Sequence, residues 1–367
     1  MGDIRHAFRV LIRHPAFSAA VIGILALGIG ANTAVFSLLY GILLRPFPYH
    51  DPDRLVAVQS QYTKTSGNIR GSSLPDIDDW SDRNRSFSDI SAYMAFDTDL
   101  LSDGPSKPLR MAWVTPSALH SLGVGALAGR LFRLEEDRPG GDADVAIISH
   151  RLWESEFGRD DGIISRTVRT AMGHFRIVGV MPAGFLFPDR TDLWAPVQSG
   201  YNRGGIRRDQ YRGSRPYSAL GRLKPGVTLE QARADLTAIA AQLESAYPNE
   251  NVGVRPVLTP LRDAEVGAIR PYLLLLLGAV GCVLLICCAN AANLLLAKSV
   301  RRSREFAIRA AMGAGAGRLL RQLLAESLLL SLVAAVLGLG LAYAGLRLLP
   351  ALIPVTLPFW MRIEIDA

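Results

Sequence analysis

The sequence predicts an α+β membrane protein with three transmembrane helices and a large extracytoplasmic α+β domain between the first and the second. Two observations carry this prediction. Residues 15–44, 272–297 and 327–346 contain no Asp, Glu, Lys or Arg, and about 20 apolar residues are enough to cross a bilayer as a helix. Between the first two runs lies most of the chain, in which short helix and strand patterns alternate.

Basic residues cluster beside the apolar runs. The 367-residue chain carries a net charge of +7, yet residues 46–270 hold 27 Lys or Arg against 28 Asp or Glu. The surplus flanks the runs, at residues 5–13 before the first and 298–321 between the second and third. Because Lys and Arg stay on the cytoplasmic side, we expect the N-terminus inside, residues 46–270 outside and the second basic segment inside. No basic patch remains for binding nucleic acid.

The same pattern divides the chain into seven segments. We expect a cytoplasmic amphipathic helix at residues 1–15, a first transmembrane helix at 16–44 and an outer domain at 45–270. We further expect a second transmembrane helix at 271–297, a cytoplasmic loop at 298–322, a third transmembrane helix at 323–349 and an outer tail at 350–367. The alternative for the first run is a cleaved signal peptide, but its apolar stretch is longer than the roughly 7–15 residues of such peptides.

Local patterns in the outer domain predict particular elements. Thr228 and Gln231 form a capping-box pattern at the start of a helix over 229–246. Ser73 is positioned to cap a helix over 74–86, and a hairpin is expected to turn at Met172-Gly173. All three cysteines lie in the second apolar run, so the outer domain cannot use disulfides.

Several polar groups have a structural interpretation. The carboxylates of Asp76, Asp78 and Asp79 stand at a helix start, where dipole stabilisation and solvation explain them. Residues 135–137 are interpreted as a solvated acidic loop. Residues 199–214, rich in Gly and Arg, are expected to form a mobile loop.

Catalytic signatures are missing from the sequence. No Lys lies between a Gly and a Ser or Thr, so a phosphate-binding Walker A loop is excluded. The six histidines do not show metal-ligand spacing, and there is no Gly-x-Ser-x-Gly motif. We therefore expect no catalytic residue, no metal site and no cofactor bound directly by this chain.

A short basic helix is predicted between the second and third runs. Its candidate contact residues combine charge with apolar bulk and a glycine stop: Arg304, Glu305, Phe306, Ile308, Arg309, Ala310, Met312 and Gly313. A topology signal, or an amphipathic helix resting on lipid, would explain the arginines. The mixture with Phe, Ile and small alanines fits better a helix that inserts into a groove on another protein.

At these residues the sequence resembles the FtsX-like permease family of ABC transporters, with an outer domain similar to the MacB type. Residues 305–314 match the family's loop between the second and third spans, and the resemblance continues through 27–36, 44–49, 52–55, 179–182 and 223–228. Within the first-span match we single out Gly28, Gly30, Asn32 and Phe36 as the membrane-span motif.

The resemblance implies a non-catalytic permease in the bacterial inner membrane. A separate cytoplasmic ABC ATPase would use the ATP and contact residues 304–313, and its motion would reach the periplasmic domain for efflux or extraction of cargo. Further implied partners are a second permease copy or half, and a periplasmic adaptor. The periplasmic domain would comprise a base from its two ends and a tip from its middle. Such permeases have four spans, so we expect this chain to be either a fragment of a longer permease or a truncated product.

Two other classes of function stay open at this stage. The first is a mechanical signal transmitter that regulates a periplasmic hydrolase or sensor without moving cargo. The second is a membrane-anchored extracytoplasmic enzyme, which the missing catalytic motifs disfavour.

Overall fold

The computed structural model describes residues 15–44, 47–63, 69–101, 104–205, 207–210, 212–267, 269–301 and 316–352. The chain folds as two compact units. Three long helices form the first, called here the helix unit, and Pro46–Gly267 forms the second, called here the sheet domain. The amphipathic helix expected within residues 1–15 lies outside the described residues.

Ten α-helices are defined in the described part of the chain. In order they are α1 (Pro15–Leu39), α2 (Leu74–Arg83), α3 (Pro116–Ser121), α4 (His150–Phe157), α5 (Val197–Gly204), α6 (Leu229–Ala246), α7 (Pro248–Asn251), α8 (Leu261–Val266), α9 (Arg270–Arg301) and α10 (Ala316–Leu352). A π-helical turn, Tyr40–Leu44, continues α1.

The strands are β1 (Leu55–Tyr62), β2 (Ile69–Arg70), β3 (Phe87–Leu101), β4 (Lys107–Val114), β5 (Ala128–Gly129), β6 (Val145–Ile148), β7 (Thr167–Thr170), β8 (Gly173–Val180), β9 (Leu193–Pro196), β10 (Ser218–Leu223) and β11 (Val254–Pro260). They form one sheet in the order β11-β1-β10-β3-β4-β9-β6-β8-β5, with β2 added to β1 and β7 to β3 and β8. The pairs β4–β9 and β6–β8 are parallel.

The two ends of the sheet domain supply one half of this sheet and its middle supplies the other. Strand β3 connects the halves, because it pairs with β10 up to Tyr93 and with β4 from Tyr93 onward. The sheet therefore runs without a break through the base and tip that the resemblance implies. One apolar core includes buried side chains from both halves, among them Trp80, Phe175 and Leu236.

Local sequence signals explain the best-predicted elements. Helix α6 spans the predicted residues, and its capping box is formed in both directions: Gln231 N donates to Thr228 Oγ1 at 3.2 Å, and Thr228 N donates to Gln231 Oε1 at 2.9 Å. Ser73 Oγ accepts from Asp76 N at 3.2 Å and starts α2. That helix ends at Arg83, earlier than predicted, because Asn84 is extended and caps the helix end.

The hairpin of β7 and β8 forms one residue away from its predicted turn. Gly173 already pairs with Thr170 across the ladder, so the turn consists of Ala171 and Met172. Gly173 has φ +128°, a conformation that favours glycine, and this explains its place at the start of β8.

The three long helices are long and apolar enough to cross a membrane: Pro15–Leu43, Arg270–Ala297 and Glu326–Leu348 qualify by length and composition. Residues 271–290 of α9 include no buried residue, and Ala291 just after them is 4% exposed. The large side chains of this stretch face outward, with Leu275 74% and Leu285 70% exposed.

Candidate functional site

Glycines on α1 allow it to contact both other long helices closely. A Cβ at Gly28 would lie 3.1 Å from Cys287 Cβ on α9, and a Cβ at Gly30 would lie 2.9 Å from Gly338 O on α10. The approach is mutual, since a Cβ at Gly338 would lie 2.9 Å from Ala26 O. We call these residues the glycine seam. Small residues at such contacts are typical of helix packing in membranes, because they let backbones approach.

Asn32 adds a polar contact next to the glycine seam. Its Nδ2 donates to Val280 O on α9 at 3.0 Å, and lies 3.5 Å from Gly28 O one turn earlier on α1. Phe36 is 53% exposed and lies outside the seam. The structure thus brings Gly28, Gly30 and Asn32 of the predicted span motif to contacts between helices, but not Phe36.

The candidate contact residues Arg304, Glu305, Phe306, Ile308, Arg309, Ala310, Met312 and Gly313 lie outside the described residues. Helix α9 ends at Arg301 just before them, and α10 begins at Ala316 just after them. The segment therefore directly connects the two helices that contact α1.

An aromatic cluster joins the first and last segments of the sheet domain. Phe47 and Tyr49 stand at its start, and Tyr49 contacts Phe187 with ring centres 6.3 Å apart. Phe187 also contacts Tyr93 of β3 at 4.9 Å. From the last helix of the domain, α8, the Arg262 guanidinium lies 5.8 Å from the ring centre of Phe47. Both ends of the domain are thereby anchored to its sheet.

Glu265 on α8 is an ionisable member of this region. Burial raises the pKa of its carboxyl above the usual range, and the negative charge of Asp189 raises it further. Glu265 also raises the pKa of Tyr49 and Tyr93, after the larger effect of their own burial. The surroundings of Glu265 within the sheet domain therefore disfavour negative charge.

Three arginines of the segment after α5 bind the carboxylates around α2; we call Arg208, Arg212 and Arg215 the strap arginines. Arg212 donates from Nη1 to Asp76 Oδ1 at 2.6 Å and from Nη2 to Asp79 Oδ2 at 2.7 Å. Arg215 forms an ion pair with the other Asp76 oxygen. Arg212 also stacks on Tyr247, with its guanidinium carbon 3.9 Å from the ring centre.

The structure corrects three predictions about polar groups. Asp76 is fully buried and its neighbours are ion-paired, so dipole stabilisation and solvation do not explain Asp76, Asp78 and Asp79. Glu136 and Asp137 lie in a 3₁₀ turn, Leu134–Asp137, and are buried at 6% and 8% exposure, not solvated. Within 199–214, α5 and the buried ion pairs of the strap arginines replace much of the expected mobile loop.

The ion pairs of the strap arginines were not predicted from the sequence, because the paired residues are distant in the chain. Arg212 and Asp76 are separated by 136 residues. A signal was nevertheless present. Arg208, Arg212 and Arg215 recur at a spacing of four and three, in a domain with as many acidic as basic residues to within one. Buried charges are seldom left unpaired, so the Asp triplet of α2 was a natural partner.

Among the described residues, no group of three or more His, Cys, Asp or Glu side chains is arranged so that it could hold a metal ion. A cavity of about 820 Å³ lies beside the strap arginines.

These features define a protein in which a large α+β sheet domain is inserted between the first and second of three long apolar helices. The sequence profile of the MacB-like periplasmic core domain matches residues 18–239, and that of the FtsX-like permease C-terminal region matches 277–365. The chain belongs to this MacB/FtsX-type family of ABC transporter permeases. Members are inner-membrane permeases with a periplasmic domain.

Curated relatives include an ABC transporter permease from Bacillus subtilis, YknZ, which is 28% identical over 251 residues, covering 65% of this chain and 59% of the relative. A macrolide export ATP-binding/permease protein, MacB, from Neisseria meningitidis is 24% identical over 265 residues, covering 69% of this chain and 39% of the relative. The chain thus spans between two fifths and three fifths of the length of these relatives.

Solved structures that match part of this chain include the periplasmic region of MacB from Actinobacillus actinomycetemcomitans, with a TM-score of 0.44 and 15% identity, covering 63% of this chain and 95% of that structure. The extracellular domain of YknZ from Gram-positive bacteria matches with a TM-score of 0.42 and 11% identity, covering 55% of this chain and 99% of that structure.

Proposed function

We propose that this chain is a permease subunit of an ABC transporter that passes ATPase-driven motion through its membrane helices to a periplasmic domain, for efflux or extraction of cargo. The observation that carries the proposal is the pair of family matches, which together include the sheet domain and the helices α9 and α10. The chain itself is non-catalytic, and its partner subunit binds and hydrolyses ATP.

The motion enters through residues 304–313, which bind a cytoplasmic ABC ATPase. Two structural features support this route. The segment connects α9 to α10, and both of these helices contact α1 through the glycine seam. A shift at the segment therefore acts on α9 and α10 together, and through their close contacts on α1.

The sheet domain receives this motion through the chain at its two ends. The segment after α1 carries Phe47 and Tyr49, and the segment before α9 carries Arg262 and Glu265. Both segments pack against the aromatic cluster around Phe187. Work on cargo further requires a second permease copy or half, and a periplasmic adaptor is a further partner.

The orientation that goes with this function has the N-terminus in the cytoplasm and the sheet domain in the periplasm. Its support is the basic surplus beside the helices, together with the balanced charge of residues 46–270. Loops rich in Lys and Arg remain inside, so residues 302–315 face the ATPase.

The contact with the ATPase is tested by introducing a negative charge into the basic segment. Phe306→Glu and Arg309→Glu should each abolish co-purification of the co-expressed ATPase from the same gene neighbourhood, while the protein still inserts in the membrane. Arg138→Glu, on the exposed surface of the sheet domain, is the matched control and should retain the ATPase. Retention by both segment variants would rule out this contact.

The orientation is tested by labelling single cysteines with an impermeant thiol reagent in spheroplasts, in a chain whose native cysteines are replaced by alanine. Gln242→Cys, exposed on α6, should react in intact spheroplasts. Ser303→Cys should react only after the membrane is permeabilised. The reverse pattern would contradict the proposed topology.

A further inference from the structure

The cavity beside the strap arginines is lined by helices α2 and α5. On one side lies α2, which contributes Pro75, Asp78, Asp79 and Asp82. Across the cavity lie Gln198, Tyr201 and Asn202 of α5, with Pro139 and Gly140, which follow the 3₁₀ turn. Helix α2 packs on β3, whereas α5 packs on β4 and β9. The cavity therefore lies over the middle of the sheet, where its two halves meet.

Arg208 crosses this cavity. Its Nε and Nη2 bind both carboxylate oxygens of Asp78 on α2, at 2.8 and 2.6 Å. Its Nη1 binds Asp137 Oδ2 in the 3₁₀ turn at 2.8 Å. The planar guanidinium is suited to this, because its five N–H donors can engage two carboxylates in fixed directions. One side chain thus connects the two sides.

Asp137, on the α5 side of the cavity, is itself held in place. Asp137 Oδ1 accepts from Gln198 N at the start of α5, at 2.8 Å. The Asp137 side chain is only 7% exposed and that of Arg208 17%. Burial raises the pKa of Asp137, and the Arg208 guanidinium acts against this effect by favouring the carboxylate. The contact is consequently little screened by solvent.

A neighbouring pair provides the contrast. Arg207 pairs with Asp209 two residues away, at 2.8 Å, and their side chains are 72% and 64% exposed. This pair has the same charges and lies on the same segment, but it connects nothing across the cavity. Solvent screens a pair of this kind, so it contributes little to stability.

We propose that Arg208 is a positioning residue that holds α2 and α5 at a fixed separation, and so sets the width of the cavity between the two halves of the sheet domain. The inference concerns the sheet domain alone and does not depend on the proposed function. Without Arg208, apolar contacts still hold each helix to its own strands, but no charged side chain of the described residues connects Asp78 with Asp137.

The test measures the width of the cavity by the distance between two spin labels. Asp82→Cys and Arg138→Cys place labels on the two sides, in the full chain with Cys282, Cys287 and Cys288 replaced by alanine. Both positions are exposed. Arg208→Gln combined with Asp137→Asn removes the bridge without leaving a buried unpaired carboxylate. The distance distribution should shift to longer values and broaden relative to the parent.

Arg207→Gln combined with Asp209→Asn is the matched control, and its distribution should equal that of the parent. Arg208→Lys retains the charge but cannot bind both carboxylates with a planar fork, so its distribution should lie between the parent and the bridge-free variant. Circular dichroism verifies that each variant is folded. If the folded bridge-free variant gives the parent distribution, the proposal is wrong. If that variant does not fold, a parent-like distribution for Arg208→Lys overturns the proposal equally.

Discussion

The helix unit and the sheet domain place the same residue types in opposite positions. In the helix unit large apolar side chains face outward, as Leu275 and Leu285 do, and glycines lie at the contacts between helices. In the sheet domain most leucines are inside, with Leu236 fully buried, although Leu101, Leu127 and Leu134 are exposed. Its glycines with positive φ lie mostly in turns. The polar contacts also differ: the sheet domain buries Asp76 with Arg212, whereas α1 contacts α9 through the neutral amide of Asn32.

This contrast follows from the surroundings for which each unit is suited. In water, burial of apolar surface drives folding at about 25 cal/mol per Å². In hydrocarbon that driving force is absent between helices, and close packing with a few hydrogen bonds takes its place. The helix unit should therefore be sensitive to volume at its seam, and the sheet domain to unpaired charge in its interior. The following predictions test that difference.

The largest effect is expected from Asp76→Ala in the sheet domain. The substitution leaves Arg215, whose side chain is 4% exposed, without its carboxylate partner, and removes one of two partners of Arg212. Breaking a buried ion pair on one side costs about 3–5 kcal/mol. Urea unfolding followed by tryptophan fluorescence measures the loss. Asp209→Ala, from an exposed pair, should leave the urea midpoint close to that of the parent. Equal losses of stability for Asp76→Ala and Asp209→Ala would contradict the expected difference between interior and surface charges.

Next in size is the effect of Gly338→Leu in the helix unit. The new side chain meets backbone atoms of α1 within 3.2 Å, so the helices must separate. Overpacking of this kind costs roughly 1–3 kcal/mol or more. The thermal midpoint of the protein in detergent, followed by size-exclusion chromatography, reports the change. Gly340→Leu lies on the same helix with no atom within 4 Å and should be neutral. A neutral Gly338→Leu would show that the seam does not hold the helices together.

A smaller loss is expected from Asn32→Leu, which removes the hydrogen bond to Val280 O. Interhelical hydrogen bonds of this kind contribute about 0.6–2 kcal/mol. Unfolding by SDS in mixed micelles measures the difference. Thr33→Val, the adjacent position on α1, is the control and should retain parental stability. A gain in stability for Asn32→Leu would indicate that apolar packing alone suffices here.

The smallest effect, which also depends on pH, is expected from Glu265→Gln. Because the folded state raises the pKa of Glu265, the protonated carboxyl is favoured on folding. The parent therefore loses stability as the pH rises from about 4.3, the usual value for Glu, through the raised value. Glu265→Gln should be more stable than the parent at pH 7, and the difference should vanish in acid. Urea midpoints across that range measure it, with the exposed Glu135→Gln as the control. A difference that grows in acid would contradict the assigned sign.

Periodic local signals allowed part of the fold to be predicted. Helix α6 was predicted from an apolar stripe and a capping box, and the structure confirms both its bounds and its cap. The hairpin of β7 and β8 was predicted within one residue of its turn. These elements depend on neighbours three or four residues away, which are visible in a single sequence.

The candidate sites were predicted less evenly, because their partners come from distant segments. The contacts of Gly28 and Gly30 follow from small residues inside an apolar run. The spacing of Arg208 and Arg212 did not by itself identify their carboxylate partners, since both arginines lay in what looked like a polar loop. An arginine on a surface loop and an arginine in a buried network have the same local sequence signature.

The amino-acid sequence alone predicted the three apolar helices, the basic segment between the last two and the capped helices of the outer domain. It also showed the resemblance to a permease family. Each of these depends on composition or on contacts within a few residues, so local physical chemistry is sufficient. Only the three-dimensional structure revealed the continuous sheet, the glycine seam between α1 and α10, and the arginines that bind Asp76, Asp78 and Asp137. Those contacts join segments far apart in the chain, and their energies exist only once folding has excluded water from between them.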